Sequence, residues 1–276
     1  MFLVDIMGGF GNQLFQIAFA MYLKKHGFKP KLFIFNNSPS NNHNFYMINH
    51  ENFNLQTISP LGEFILKKMN SINLFRENLF NTYDYENTFQ IKKLEFEDKK
   101  LITSFNSFWQ DKYFVDEVFD EFKSGLLKTP IFNEGFNKPK TKGSTMLHIR
   151  RGDHAFFLPL SYYEDALLQA RKIDGFTYDI YTDDPEWVKA QKNFTDAKNI
   201  YEPQQDEDIK LDTYKTFSKM LNYENYIISN SSYSWWAAKI AECDNSNIFY
   251  PYPYWPSLEP DIFYDNWIRV NRHIES

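Results

Sequence analysis

Apolar and polar positions fall into short blocks along the 276-residue chain, and the blocks follow a repeating order. Residues 2–7 are apolar apart from Asp5 and predict a buried strand, and Gly8-Gly9-Phe10-Gly11 predicts a turn. A helix follows over 12–25, with Leu14, Ile17, Ala18, Met21 and Tyr22 at helical spacing and Lys24-Lys25-His26-Gly27 as its basic last turn and glycine stop. A second strand over 31–35 completes a strand–turn–helix–strand unit, so a parallel sheet begins with the first residues. Residues 36–54 are Asn-rich and unpatterned, the signature of a functional or mobile loop. Residues 101–109 predict a strand. One helix is expected over 111–127, with Val115, Val118, Phe119, Phe122 and Leu126 on one face.

Residues 128–144 carry prolines, glycines and lysines and predict a linker. Beyond it the alternation is cleaner. Strands are expected over 145–150 and 177–182, around Ile200, and over 226–229 and 248–250; helices over 161–173, 185–192, 206–221 and 234–243 lie between them. Ser161-Tyr162-Tyr163-Glu164 reads as a capping box for the first of these helices. Such alternation predicts an α/β fold of two Rossmann-like doubly wound domains, 1–138 and 139–276, facing a cleft, with ligands at the carboxyl ends of the strands.

A hydrophobic fraction of 43% and a charged fraction of 24% are those of an ordinary globular protein. Aromatic content is high at 19%, with 28 Phe and 18 Tyr. A net charge of −6 argues against a general nucleic-acid or anionic-membrane binder. The single cysteine, Cys243, excludes an internal disulfide and a cysteine-based zinc cage. The six histidines show no metal-ligand spacing. No apolar run reaches membrane-spanning length, and residues 2–23 lack a basic leader and a small-residue cleavage site, so the expectation is a cytoplasmic protein.

Three clusters carry candidate chemistry. The first glycine turn invites a dinucleotide reading, but Leu14 stands where a third glycine or alanine belongs, and the second strand ends in Asn36-Asn37 with no acid for a ribose. Arginine is scarce, at positions 76, 150, 151, 171, 269 and 272, yet two lie side by side in His148-Ile149-Arg150-Arg151-Gly152-Asp153-His154 at the end of an apolar strand. A guanidinium binds phosphate as a planar fork, which an ammonium cannot do. A structural Arg–Asp153 ion pair is the competing reading and is compatible with the first. In the third cluster, the strand at Ile227-Ile228 runs into Ser229-Asn230-Ser231-Ser232-Tyr233-Ser234 and then a helix, whose free amides form a neutral anion cradle unless Ser232 or Ser234 caps them. Trp235 and Trp236 read as core.

Taken together, Gly8-Gly9-Phe10-Gly11-Asn12-Gln13-Leu14-Phe15-Gln16, His148-Ile149-Arg150-Arg151-Gly152-Asp153, Tyr181-Thr182-Asp183-Asp184-Pro185 and Ser229-Asn230-Ser231-Ser232-Tyr233-Ser234-Trp235-Trp236 resemble, in that order, the bacterial α-1,2-fucosyltransferases of glycosyltransferase family eleven. The resemblance spans almost the whole chain. It implies a GT-B type fold, GDP-β-L-fucose as donor, a terminal galactose of a glycan as acceptor, inversion at the anomeric carbon, and no metal or other cofactor. It assigns donor binding to His148, Arg150, Arg151, Asp183, Ser231, Ser232 and Tyr233, and an acceptor-side role in the first domain to Gly9, Gly11, Asn12 and Gln13. Arg150, Asp153 and Asn12 are its catalytic candidates; neither Asp153, His154 nor Asp5 is singled out as a general base. In one departure, an acid expected in register with Thr216 is missing, and the nearest is Asp212, one helical turn upstream. Implied localisation is cytoplasmic or peripheral to the inner membrane. Another fucosyl linkage, a non-catalytic carbohydrate-binding protein and a nicotinamide oxidoreductase are the alternatives.

Overall fold

The computed structural model describes residues 1–33, 49–71, 77–84, 86, 91–94, 96, 100–152, 156–202, 209–255 and 259–272, with backbone alone at 70, 71, 209 and 210. Most of the Asn-rich loop, Asp153, His154 and the acids at 206–208 lie outside these residues. The chain divides into two compact units, Met1–Lys128 and Thr129–Ser276.

The first unit runs β1 (Phe2–Asp5), α1 (Phe10–Lys25), β2 (Pro30–Phe33), β3 (Gln56–Thr57), α2 (Pro60–Ser71), β4 (Phe80–Tyr83), β5 (Ile102–Phe105), α3 (Lys112–Asp116) and α4 (Phe119–Leu127). All pairings are parallel, in the order β3-β2-β1-β5-β4. Helix α1 covers one face of the sheet, with Phe19 against Phe105 and Trp109 at 5.3 and 4.4 Å between ring centres. On the other face Leu66 of α2 packs with Leu3, Phe33, Phe80 and Ile102. A parallel sheet covered on both faces needs apolar residues on both, which is why β1 reads as a nearly unbroken apolar run. The single helix expected over 111–127 is two. Asp111 accepts from the Tyr113 amide to start α3, and Val118, at φ −129°, leaves the helical region before α4 begins. The break lets Phe114 pack on Phe19 while Phe122 meets Phe53.

The second unit runs α5 (Pro130–Asn137), β6 (Ser144–Ile149), α6 (Leu160–Ala170), β7 (Thr177–Thr182), α7 (Pro185–Ala190), β8 (Ile200–Tyr201), α8 (Ile209–Met220), β9 (Asn225–Ile227), α9 (Ser232–Ala241), β10 (Ile248–Tyr252) and β11 (Ile268–Asn271). Its six strands are parallel, in the order β11-β10-β9-β6-β7-β8. The order reverses between β6 and β9, and that reversal opens the crevice where doubly wound sheets bind ligands. Leu147, Ile149, Ile180, Ile227 and Phe249 form the core on one face with Tyr162, Ala166 and Leu167 of α6.

Two further local expectations differ from the structure. The segment 128–144 contains α5, which belongs to the second unit. Phe132 packs on Tyr214 and Phe217 of α8 at 4.9 and 5.5 Å, and Ser218 Oγ donates to the Ile131 carbonyl at 2.6 Å. A Cβ at Gly135 would lie 2.2 Å from the Ser218 carbonyl oxygen, so the glycine that reads as a linker residue in fact permits close helix contact. Nor is Ser161-Tyr162-Tyr163-Glu164 a capping box. Pro159 caps α6 with no side-chain bond, its fixed φ of −67° starting the helix at Leu160, and Glu164 instead accepts from Asn193 Nδ2.

Candidate active site

The second unit's site is built at the reversal of strand order. His148, near the end of β6, is buried, and its Nδ1 lies 2.8 Å from the hydroxyl of Ser229, just beyond β9. That contact ties the two strand exits together. Arg150 follows β6 with Nη1 2.9 Å from Asp183 Oδ2, and the other oxygen of Asp183 accepts the Arg151 amide at 2.7 Å. One carboxylate beyond β7 thus holds both the Arg150 guanidinium and the Arg151 backbone amide. A Cβ at Gly152 would come within 3.0 Å of Asp183 Oδ2, so a glycine here leaves the carboxylate its space.

The two arginines are held differently. Arg150 keeps a partly exposed side chain. The Arg151 guanidinium lies 4.0 Å from the ring centre of Trp187 and 4.8 Å from that of Phe157, with Nε 3.4 Å from Asp184 Oδ2. Cation–π contact on two rings plus an ion pair commits Arg151 to its own domain. Asp184 also caps α7 by accepting from the Trp187 amide at 3.1 Å.

Ser231 is the N-cap residue of α9, and its side chain makes no capping bond. Ser234 Oγ turns back to the Ser231 carbonyl at 3.2 Å. A serine-rich helix start at a strand exit is a position that suits an anion. Tyr233 braces α9 on α8, its hydroxyl donating to the Thr213 carbonyl at 2.7 Å and its ring 5.4 Å from Phe217. Asn230 is fully buried, with Nδ2 donating to the Phe156 carbonyl at 2.9 Å and, among the described residues, no partner for Oδ1. Trp235 and Trp236 are fully buried core residues.

In the first unit, the glycine turn stands where its own strand order reverses, between β1 and β5. Gly8 has φ +72°, and a Cβ there would meet Asn12 Nδ2 and Phe108 Cε1 at 2.9 Å. Gly9 caps α1 and Gly11 lies buried in its first turn. Gln13 Nε2 donates to the Gly8 carbonyl at 2.8 Å; Gln16 accepts from the Met7 amide at 2.9 Å and donates to the Ser107 carbonyl at 3.2 Å. Both amides thus brace the turn from within. Asn12 accepts from Gln110 Nε2 at 2.9 Å and remains partly exposed. Asp5, at the end of β1, is 2% exposed, and its carboxylate oxygens lie 3.4 and 3.5 Å from Ser104 Oγ. Burial pushes its pKa up to about 7 against the lowering effect of that hydroxyl.

The expected donor residues His148, Arg150, Arg151, Asp183, Ser231, Ser232 and Tyr233 therefore gather at the strand exits of the second unit, while Gly9, Gly11, Asn12 and Gln13 gather at those of the first. Ser229, Asn230 and Gln16, quoted within the sequence motifs but given no role of their own, act in these networks. Ser229 directly follows an apolar strand, a position that marks a strand exit. Among the described residues, no helix is long and apolar enough to cross a membrane.

No protein-family model matches the chain. Similarity to curated proteins covers nearly all of it. The chain is 25% identical to the α-1,2-colitosyltransferase of Escherichia coli over 97% of its own length and 98% of that protein's. It is 26% identical to the O-antigen biosynthesis glycosyltransferase WbnK of Escherichia coli, over 96% and 99%. Among solved structures, a variant of Arabidopsis thaliana FUT1 in complex with GDP superposes with a TM-score of 0.50 at 9% identity, covering 90% of this chain and 70% of that one. That likeness is one of fold. The protein has a GT-B type fold of two parallel-sheet α/β domains.

Proposed function

We propose that the protein is an inverting α-1,2-glycosyltransferase of bacterial O-antigen assembly that moves L-fucose from GDP-β-L-fucose to a terminal galactose of a glycan. The observation that carries this reading is the Arg150–Asp183 pair beside the Ser229–Ser231 turn, at the reversal of strand order in the second unit. The near full-length similarity to two sugar transferases supports the reaction class, one of them through its α-1,2 linkage and the other through its O-antigen role.

The chemistry is an in-line displacement. The acceptor hydroxyl forms its bond to the anomeric carbon as the bond to the β-phosphate oxygen breaks, through an oxocarbenium-like transition state, so a β-linked donor yields an α-linked product. Negative charge gathers on the departing GDP. Arg150, aimed by Asp183, and the first-turn amides of α9 meet that charge without having to reorganise, the largest catalytic effect in many enzymes. This arrangement needs no metal. Asn12 and the braced glycine turn serve the acceptor side, and Asp153 is the carboxylate to test for taking up the acceptor's proton.

A second donor is favoured by the similarity to a colitosyltransferase. Colitose is L-fucose without its 3-hydroxyl, so the two donors differ by one oxygen. The decisive experiment is a transfer assay with both GDP-sugars over a panel of galactosides, with the linkage of each product determined by NMR. An α-1,2 product from GDP-fucose, formed equally well in EDTA, is expected. Transfer from the colitosyl donor alone would replace the donor assignment, and loss of activity in EDTA would overturn the metal-free one.

A further inference from the structure

We infer that Phe156 and Trp255 form an apolar wall of the donor-sugar pocket that reads the C6 methyl group of a 6-deoxy sugar. The inference rests on the donor reading above and names what the same site uses to select its sugar. Phe156 comes from the loop after β6 and Trp255 from the loop after β10, and β9 lies between those strands in the sheet. The two rings nevertheless meet, 6.0 Å apart at 81°, edge to face. The pair therefore spans the exit of β9, where Ser229, Asn230 and Ser231 stand. Buried Asn230 holds the Phe156 carbonyl at 2.9 Å, which fixes this loop to the turn beneath it.

The neighbouring rings have other duties. Phe157 lies on Arg151, and Tyr254 is buried. Phe156 remains 47% exposed at the rim of a polar site. Large apolar surface left open beside a binding site marks where a ligand's own apolar part lies.

A 6-deoxyhexose carries a methyl group where other hexoses carry a hydroxymethyl. Against two aromatic rings the methyl gains apolar contact, whereas a hydroxyl would lose water without finding a comparable acceptor. Such a wall is indifferent to the sugar's 3-hydroxyl and serves L-fucose and its 3-deoxy analogue alike.

The test is donor choice between GDP-L-fucose and GDP-L-galactose, which differ only by the 6-hydroxyl. Apolar pockets discriminate against an added hydroxyl by up to about a hundredfold, so the wild type is expected to favour GDP-L-fucose in kcat/KM by roughly ten- to a hundredfold. In Phe156→Ala and Trp255→Ala the ratio is expected to fall below about threefold, while GDP alone still raises Tm as it does in the wild type. Phe156→Leu keeps an apolar side chain and should retain most of the preference, which guards against a misfolded variant deciding the matter. A wild-type ratio in both alanine variants overturns the inference alone. Loss of the GDP-induced shift in the variants also overturns it, by making the pair a support of the nucleotide site. A wild type that neither binds GDP nor uses either donor overturns the donor reading and the inference with it.

Discussion

Replacing Asp5 by asparagine is expected to remove a pH dependence of stability that belongs to the first unit. The Asp5 carboxyl is 2% exposed, meets the Ser104 hydroxyl at 3.4–3.5 Å, and has its pKa raised from 3.8 to about 7 by burial. Between those values the unfolded chain has released a proton that the folded carboxyl retains. The folded state thus binds more protons, and stability falls as pH rises. The contribution is fully present below pH 3.8 and is lost as pH rises through about 7. At about 1.4 kcal/mol per pKa unit, the whole loss is about 4 kcal/mol, of which more than half falls between pH 5 and pH 8. The amide cannot titrate, so Asp5→Asn should gain on the wild type by that amount over this interval. Whatever fixed cost its buried amide adds is the same at every pH. Urea unfolding of both proteins at several pH values, followed by hydrogen exchange at the β1 amides, isolates the first unit. Parallel stability curves for wild type and variant would refute the reasoning and show that Asp5 stays ionised in the fold.

Arg150→Lys keeps the charge but loses the planar fork that Asp183 aims, so kcat in a fucosyl-transfer assay is expected to fall more than tenfold, with GDP affinity by calorimetry changing less. Near-normal turnover would make Arg150 a structural residue. Asp212→Asn should leave GDP affinity within a few-fold, because a helical turn of about 5.4 Å separates Asp212 from the position of Thr216 and exceeds what an aspartate recovers; a large loss would make Asp212 the nucleoside contact. Gly8→Ala forces a side chain to φ +72° and into 2.9 Å contact with Asn12 and Phe108. It is expected to cost about 1–3 kcal/mol in chemical denaturation, and an unchanged midpoint would contradict the packing described for the glycine turn.

Much of the second unit is legible in the sequence because its strands are buried on both faces. Residues 177–182 are read as the strand that forms, and β6, β9 and β10 lie within a few residues of their apolar runs. The first unit is harder. Helix α2 exposes Leu61, Phe64 and Ile65 while burying Leu66, so no single apolar stripe announces it. Strands β3 and β4 are short and gain their pairing from neighbours distant in the chain. The site shows the same division. Adjacent arginines after an apolar strand are visible as a motif. That Asp183 aims one and that Trp187 and Phe157 hold the other depends on β6 and β7 lying side by side, which no local spacing encodes.

The attachment of α5 to α8 bears on where the protein can be cut. A fragment beginning at residue 139, the boundary that composition suggests, would discard Phe132 and lay bare the faces of Tyr214 and Phe217 that it covers. Losing a buried phenylalanine costs about 3–5 kcal/mol, a large share of a domain's net stability. The carbonyl of Ile131, to which Ser218 donates, would go as well. A fragment opening at Thr129 retains the whole helix with the proline at its head. Thermal unfolding of the two fragments is expected to show a cooperative transition for the one opening at Thr129 and a weakened one for the one opening at residue 139.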